Sequence, residues 1–177
     1  GRDPHAAADM HERMLAAHRL YSTNRLPEFL RTHPLSEKRV ADMRNRARSE
    51  RRVIRPKSFD FELMQARVRH QLAQNPVDAV NLFRDQTEKI GTEAAAGWYG
   101  LALAHIEAGQ PVKARQALEK AMRPYPDNLA FVIASSEIDT AMGQHERAIA
   151  RLKNRLSLSP GNHPLTIAYA CLLYTSD

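Results

Sequence analysis

Gly109-Gln110-Pro111-Val112-Lys113-Ala114-Arg115-Gln116-Ala117-Leu118 decides the fold, because Gly143-Gln144-His145-Glu146-Arg147-Ala148-Ile149-Ala150-Arg151-Leu152 echoes it 34 residues later. Gly109 and Gly143, Ala114 and Ala148, Leu118 and Leu152, and Pro126 and Pro160 all keep that offset. A 34-residue period belongs to tetratricopeptide repeats, each a helix-turn-helix. In the first unit Trp98, Leu101, Ala102, Gly109, Ala114, Leu118, Ala121 and Pro126 fall on consensus-type positions. Small residues let the paired helices approach, the glycine ends the first helix and the proline closes the second. The second unit has Val132 where the first has Trp98.

The pattern extends in both directions. Pro76-Val77-Asp78-Ala79 matches Pro111-Val112-Lys113-Ala114 at an offset of 35, with Phe83 corresponding to Leu118. Another first helix begins near His163. One helix pair cannot bury its own apolar faces, so stacked neighbours are required. The expectation is an all-α chain with a tetratricopeptide-repeat α-solenoid over residues 59–170.

Composition agrees with that class. Ala, Leu, Arg, Glu and Gln dominate, and these favour helices. Aromatics make up 6% and there are only 7 glycines, which argues against an all-β fold. No run reaches the ~20 apolar residues of a membrane span, and no export signal opens the chain at Gly1. The net charge of +6 is local, since nine basic residues and two acidic ones lie between Lys38 and Lys57. No aromatic side chains interleave that run for base stacking, so it reads as a solvated helix face rather than a nucleic-acid surface.

Upstream of the repeats the pattern changes. Asp3-Pro4 reads as a helix N-cap followed by proline at the first helical position. Ala7, Met10, Met14 and Ala17 form an apolar stripe along the helix that follows. Tyr21 to Pro34 reads as a loop. Ser36 caps a second helix, Leu35 staples onto Val40, and Val40, Met43 and Ala47 mark its buried side. Residues 53–58, with Pro56 inside, form the linker.

Two zincin-like beginnings carry no metal. The motif needs histidines at i and i+4 facing one ion, but His11-Glu12 and His145-Glu146 are followed at the fifth position by Leu15 and Ile149. His11 and His18 share a helix face with no carboxylate placed to complete a site. His70 and His105 occupy equivalent repeat positions, suited to polar packing or a groove.

The stretch Pro27-Glu28-Phe29-Leu30-Arg31-Thr32-His33-Pro34, with Arg39 beyond it, resembles the tail of a zinc metallopeptidase domain. Together with Asp3-Pro4 and the repeats, it resembles the BepA-like group, periplasmic metallopeptidases related to CAAX prenyl proteases that carry tetratricopeptide repeats. The resemblance runs from Gly1 to about Ala170. It implies that residues 1–52 end a metallopeptidase domain, and that this chain is an internal piece lacking the His-Glu-x-x-His motif and inactive alone.

In the whole protein, zinc would be bound by that motif's histidines and a downstream glutamate, with one position left for water. The motif glutamate would be the general base. His33 would lie near the cleft, where its imidazole can fill the open position and hold the peptidase latent. Alternatively, His33 packs the loop and bonds a backbone carbonyl. Thr32, Pro34 and Arg39 would be structural, Arg39 anchoring the loop.

The resemblance further implies export to the periplasm. It also implies binding of partner or substrate proteins by the repeats, at the outer-membrane assembly machinery, in protein quality control. Repeat register places Tyr99, His105, Ser136 and Asp139 on the concave groove. The competing class is a non-catalytic tetratricopeptide-repeat adaptor, which leaves Thr32-His33-Pro34 unexplained. Finally, Cys171-Leu172-Leu173-Tyr174-Thr175-Ser176-Asp177 resembles the translation of a transposon-type sequencing adapter. On that reading residues 171–177 are an artefact and the genuine segment has no cysteine.

Overall fold

The computed structural model describes residues 3–21, 37–53 and 57–175. Among them are nine helices and no strand: α1 Ala6–Tyr21, α2 Glu37–Ala47, α3 Phe59–Gln71, α4 Pro76–Thr87, α5 Gly91–Glu107, α6 Pro111–Met122, α7 Leu129–Ala141, α8 His145–Leu158 and α9 His163–Thr175. The all-α helical-repeat expectation holds. The chain forms two compact units, Gly1–Pro56 and Lys57–Asp177. No described helix is long and apolar enough to cross a membrane.

In the first unit, α1 packs on α2. Asp3 accepts a hydrogen bond from the His5 backbone N–H at 3.1 Å, but a turn through Pro4 and His5 intervenes and α1 starts only at Ala6. The Asp3 carboxylate also faces the chain after α2, accepting from the Val53 N–H at 3.4 Å and pairing with Arg52 at 3.6 Å. Its second task ties residues 50 apart in sequence.

The apolar stripe expected on α1 is corrected. Met10 and Met14 are about half exposed and Ala7 is exposed, whereas Ala8 is buried and Leu15 half-buried. The inward face carries Ala8 and Leu15, and the exposed pairs Arg44–Glu12 and Arg52–Asp9 join α1 to α2 and to the chain after it. On α2, Val40 and Ala47 are buried and Met43 is half-buried, as the spacing indicated. The Ser36 cap, the Leu35 staple and the Tyr21–Pro34 loop beyond Tyr21 fall outside the described residues.

The second unit is built around α5. Helices α3, α4, α6 and α7 all pack on it, while α3 and α4 touch each other little. From Ala95 to Ala104 every residue but the half-buried Trp98 is buried. Side-chain caps begin four helices: Ser58 for α3, Asn75 for α4, Asn128 for α7 and Asn162 for α9. Each replaces an orphaned backbone partner and contributes about 1 kcal/mol.

The repeat signature becomes a repeated turn. Gly109 and Gly143 take φ of 67° and 74°, which side-chain-bearing residues rarely adopt. The next N–H closes back by five residues in each, Gln110 to the His105 carbonyl and Gln144 to the Asp139 carbonyl, both at 2.8 Å. Ala79, Ala114 and Ala148 are all fully buried at matching positions, so the repeat is legible in packing as well as in sequence. Helix α9 continues through Cys171 to Thr175. Leu172, two turns beyond Leu165, shares a core cluster with Leu165, Ala148 and Leu152.

Two glycines fix the distance between α4 and α5. A Cβ on Gly97 would stand 2.8 Å from the Gln86 carbonyl carbon, and one on Gly100 would stand 2.3 Å from the Phe83 ring. Phe83 is itself fully buried, so its ring cannot swing aside cheaply. Gly100→Ala is therefore expected to destabilise the fold by roughly 1–3 kcal/mol. Chemical denaturation measures this, and an unchanged midpoint would contradict the close contact.

Candidate functional site

The first helices of the repeats line a concave groove of about 860 Å³. Leu63 and Met64 come from α3, Leu129, Ala130 and Ile133 from α7, and Ile167, Ala168 and Leu172 from α9. Packing of α3 on α5, α7 on α8 and α9 on α8 leaves these apolar side chains turned to the groove. Met64 and Ile167 remain 49% and 63% exposed, so that surface is open to a ligand.

A polar strap crosses the floor. Arg67 donates to Tyr99 Oη at 3.1 Å and to Glu137 Oε1 at 2.9 Å, linking α3, α5 and α7. Burial opposes the Arg67 charge, but Glu137 and the Tyr99 oxygen outweigh it and hold the guanidinium pKa above its ordinary value. Burial likewise pushes the Tyr99 phenol up, opposed by Arg67. Both groups are thus fixed in form, one cationic and one neutral, and this part of the floor is electrostatically static. At the rim Asn128 caps α7 and donates to Asp60 of α3 at 2.9 Å.

Of the four residues assigned to the groove from register, two line it. Tyr99 closes the floor, fully buried, with its ring edge-on to Phe131 at 5.7 Å. Ser136 also lines it, though its hydroxyl is already donated to the Ile133 carbonyl at 2.7 Å. The other two lie elsewhere. Asp139 is 1% exposed and faces α6 and α8, accepting from Arg115 at 2.8 Å and from Arg151 at 2.9 Å and 3.1 Å. Removing one partner of such a buried pair costs about 3–5 kcal/mol, so Asp139 is a fastener between helices.

His105 is half-buried, toward Gln110, Lys113 and Arg84. His70, its repeat equivalent, instead meets Glu107 at 3.4 Å, so equal register gives unequal surroundings. The groove residues that register missed, Met64, Arg67, Glu137 and Ile167, were hidden because only the superhelical stacking brings α3, α7 and α9 to one cavity.

Thr32, His33 and Pro34 fall outside the described residues, as does the His18 side chain. Arg39 sits exposed in the first turn of α2. His11 turns its Nδ1 to the Ala7 carbonyl of its own helix at 2.9 Å. Among the described residues no three His, Cys, Asp or Glu side chains converge to hold a metal. The described residues do not fit a zinc site.

The fold and groove define an all-α helical-repeat protein with an open, largely apolar cavity. No family model matches the chain. It is 36% identical over 167 residues to the beta-barrel assembly-enhancing protease of Escherichia coli K12, a match covering 89% of this chain and 32% of that protein. To the protein of the same name from Yersinia pestis it is 30% identical over 160 residues, covering 88% and 32%. Over the matched residues the chain is similar to the beta-barrel assembly-enhancing proteases of several Gram-negative bacteria. It spans about a third of the length of these curated relatives.

The His105 surroundings generate a pH prediction. Burial first, then the Lys113 and Arg84 charges, lower its pKa, outweighing the Gln110 hydrogen bond. A histidine with a lowered folded pKa favours the fold when neutral. Its contribution is complete above the unfolded value of about 6.5 and is lost as pH falls from there through the folded value. Thermal unfolding at about pH 8 and about pH 5 should show a smaller acid-induced drop in Tm for His105→Gln than for the parent. Equal drops would refute it.

Proposed function

We propose that this chain belongs to an exported zinc-dependent metalloendopeptidase of outer-membrane protein quality control, and that its repeats bind partner or substrate proteins in the groove. The observation that carries this reading is the apolar, open groove formed by α3, α7 and α9 in a chain similar to proteases named for β-barrel assembly. A polypeptide destined for a β-barrel carries alternating large apolar side chains, and before it folds those side chains need a temporary apolar surface. Stacked tetratricopeptide-type helices supply one without closing around it. The periplasm, as the compartment where such polypeptides pass, is part of the same reading.

The chemistry of hydrolysis belongs to residues this chain does not supply, so the chain alone is expected to bind without cleaving. Met64→Glu with Ile167→Glu places two carboxylates on the groove walls at exposed positions, where folding tolerates them. Affinity for a denatured outer-membrane β-barrel polypeptide, read by fluorescence anisotropy, is expected to fall about tenfold or more. Unchanged affinity, with an unchanged Tm, would sink the groove reading.

For His33 we propose a role at the zinc cleft of the whole protein. A neutral imidazole competing for the open zinc position would hold the enzyme latent. His33→Ala in that protein is expected to raise basal proteolysis and to alter zinc affinity. Both remaining at parental values would assign His33 to loop packing instead.

A further inference from the structure

On the side of the repeats away from the groove floor, Asp139 gathers more positive charge than it can neutralise. Arg115 of α6 and Arg151 of α8 bond its two oxygens directly, and Arg147 of α8 stands 3.8 Å from Oδ2. Four residues beyond Arg151, Arg155 extends the same face of α8, with one guanidinium nitrogen on the Asp127 carbonyl at 3.0 Å. No other carboxylate among the described residues pairs with any of these four arginines.

One carboxylate therefore faces three guanidiniums, and the fourth, Arg155, rests on a backbone carbonyl that carries no full charge. The spacing of Arg147, Arg151 and Arg155 at i, i+4 and i+8 keeps them in a row on one helix face. Arg115 and Arg151 are held by Asp139, so the row has rigid neighbours. Arg147 is 57% exposed, its closest approach to Asp139 is longer than a hydrogen bond, and its Nη1 donates to Gln144 Oε1 at a long 3.4 Å, a contact that a bidentate carboxylate can replace. Arg115 Nη2 also reaches Met142 Sδ at 3.1 Å, while the Nε atoms of Arg115 and Arg155 are buried without a partner.

The charge calls for an acidic complement. Lysines would offer point charges to any anion, whereas a row of guanidinium forks about one helical turn apart suits planar carboxylates repeated along a chain. We propose that the Arg147-Arg151-Arg155 row, with Arg115 beside it, docks an acidic segment of a partner protein through its side-chain carboxylates. This surface is separate from the groove and does not depend on it.

The test uses the full chain and two fluorescein-labelled peptides of equal length, oligoglutamate and oligoglutamine, in anisotropy titrations. Oligoglutamate is expected to bind saturably and oligoglutamine not to bind. Arg147→Gln with Arg155→Gln leaves the two closest Asp139 partners in place and is expected to weaken oligoglutamate binding about tenfold or more. Arg48→Gln with Arg51→Gln, in the other basic stretch, is expected to leave it unchanged. Should the double variant lose stability, Arg147→Glu alone, at an exposed position, is expected to give the same loss. No oligoglutamate binding, or equal weakening by the Arg48/Arg51 control, would overturn the proposal. Saturable binding of inorganic phosphate without oligoglutamate binding would also overturn it, making the row a small-oxyanion site.

Discussion

Helix α5 gives up nearly its whole surface to its neighbours, and the rest of the second unit depends on that. Four helices pack on it, and α4 comes so close that only glycine fits at positions 97 and 100. Such an approach excludes water from Phe83, Tyr99 and Phe131, whose burial contributes about 1.5–3 kcal/mol each. It also explains the composition of α5, which is rich in Ala and Gly despite the entropic cost of glycine in a helix. A helix surrounded on all sides needs small residues more than it needs propensity.

With α5 enclosed, polar bridges position the outer helices. The Arg67–Glu137 pair connects α3 to α7 above Tyr99, and Asn128–Asp60 connects them again at the rim. On the other side, Asp139 joins α7 to α6 and α8. Buried ionic groups of this kind define geometry more than they add stability, because desolvation offsets most of their Coulomb energy. Their effect is to fix the spacing of α3 and α7 at both the floor and the rim of the groove.

Periodicity revealed the hairpins because local chemistry fixes them. Gly109 and Gly143 must take positive φ, and Ala114 and Ala148 must be small where helices meet. Each requirement is visible at one position. The groove was legible only in part. Repeat register assigned Tyr99, His105, Ser136 and Asp139 to it; Tyr99 and Ser136 line the cavity, while His105 lies elsewhere and the Asp139 carboxylate is drawn to Arg115 and Arg151. Those arginines come from helices 24 and 12 residues away, and no local pattern announces that they meet. On α1, Met10 and Met14 looked like a buried stripe, yet Ala8 and Leu15 face inward, and Glu12 and Asp9 pair with Arg44 and Arg52 from 32 and 43 residues away. Long-range charge pairing was the recurrent unread term.

The two faces of the repeats differ in the kind of selectivity they can supply. Apolar contact in the groove is sequence-tolerant, since it counts buried area and asks little of side-chain identity. Guanidinium forks on α8 are the reverse: they discriminate charge and planarity, and their reach in solution is limited by ionic screening at about 10 Å in ordinary salt. A scaffold with both can hold a variable unfolded chain on one side and a constant acidic partner on the other. Because Asp139 and Arg67 belong to separate bridges that share only α7, occupancy of one face need not disturb the other. Any coupling between the faces would have to run through α7, where Glu137 and Asp139 lie two residues apart, because a close-packed element transmits strain.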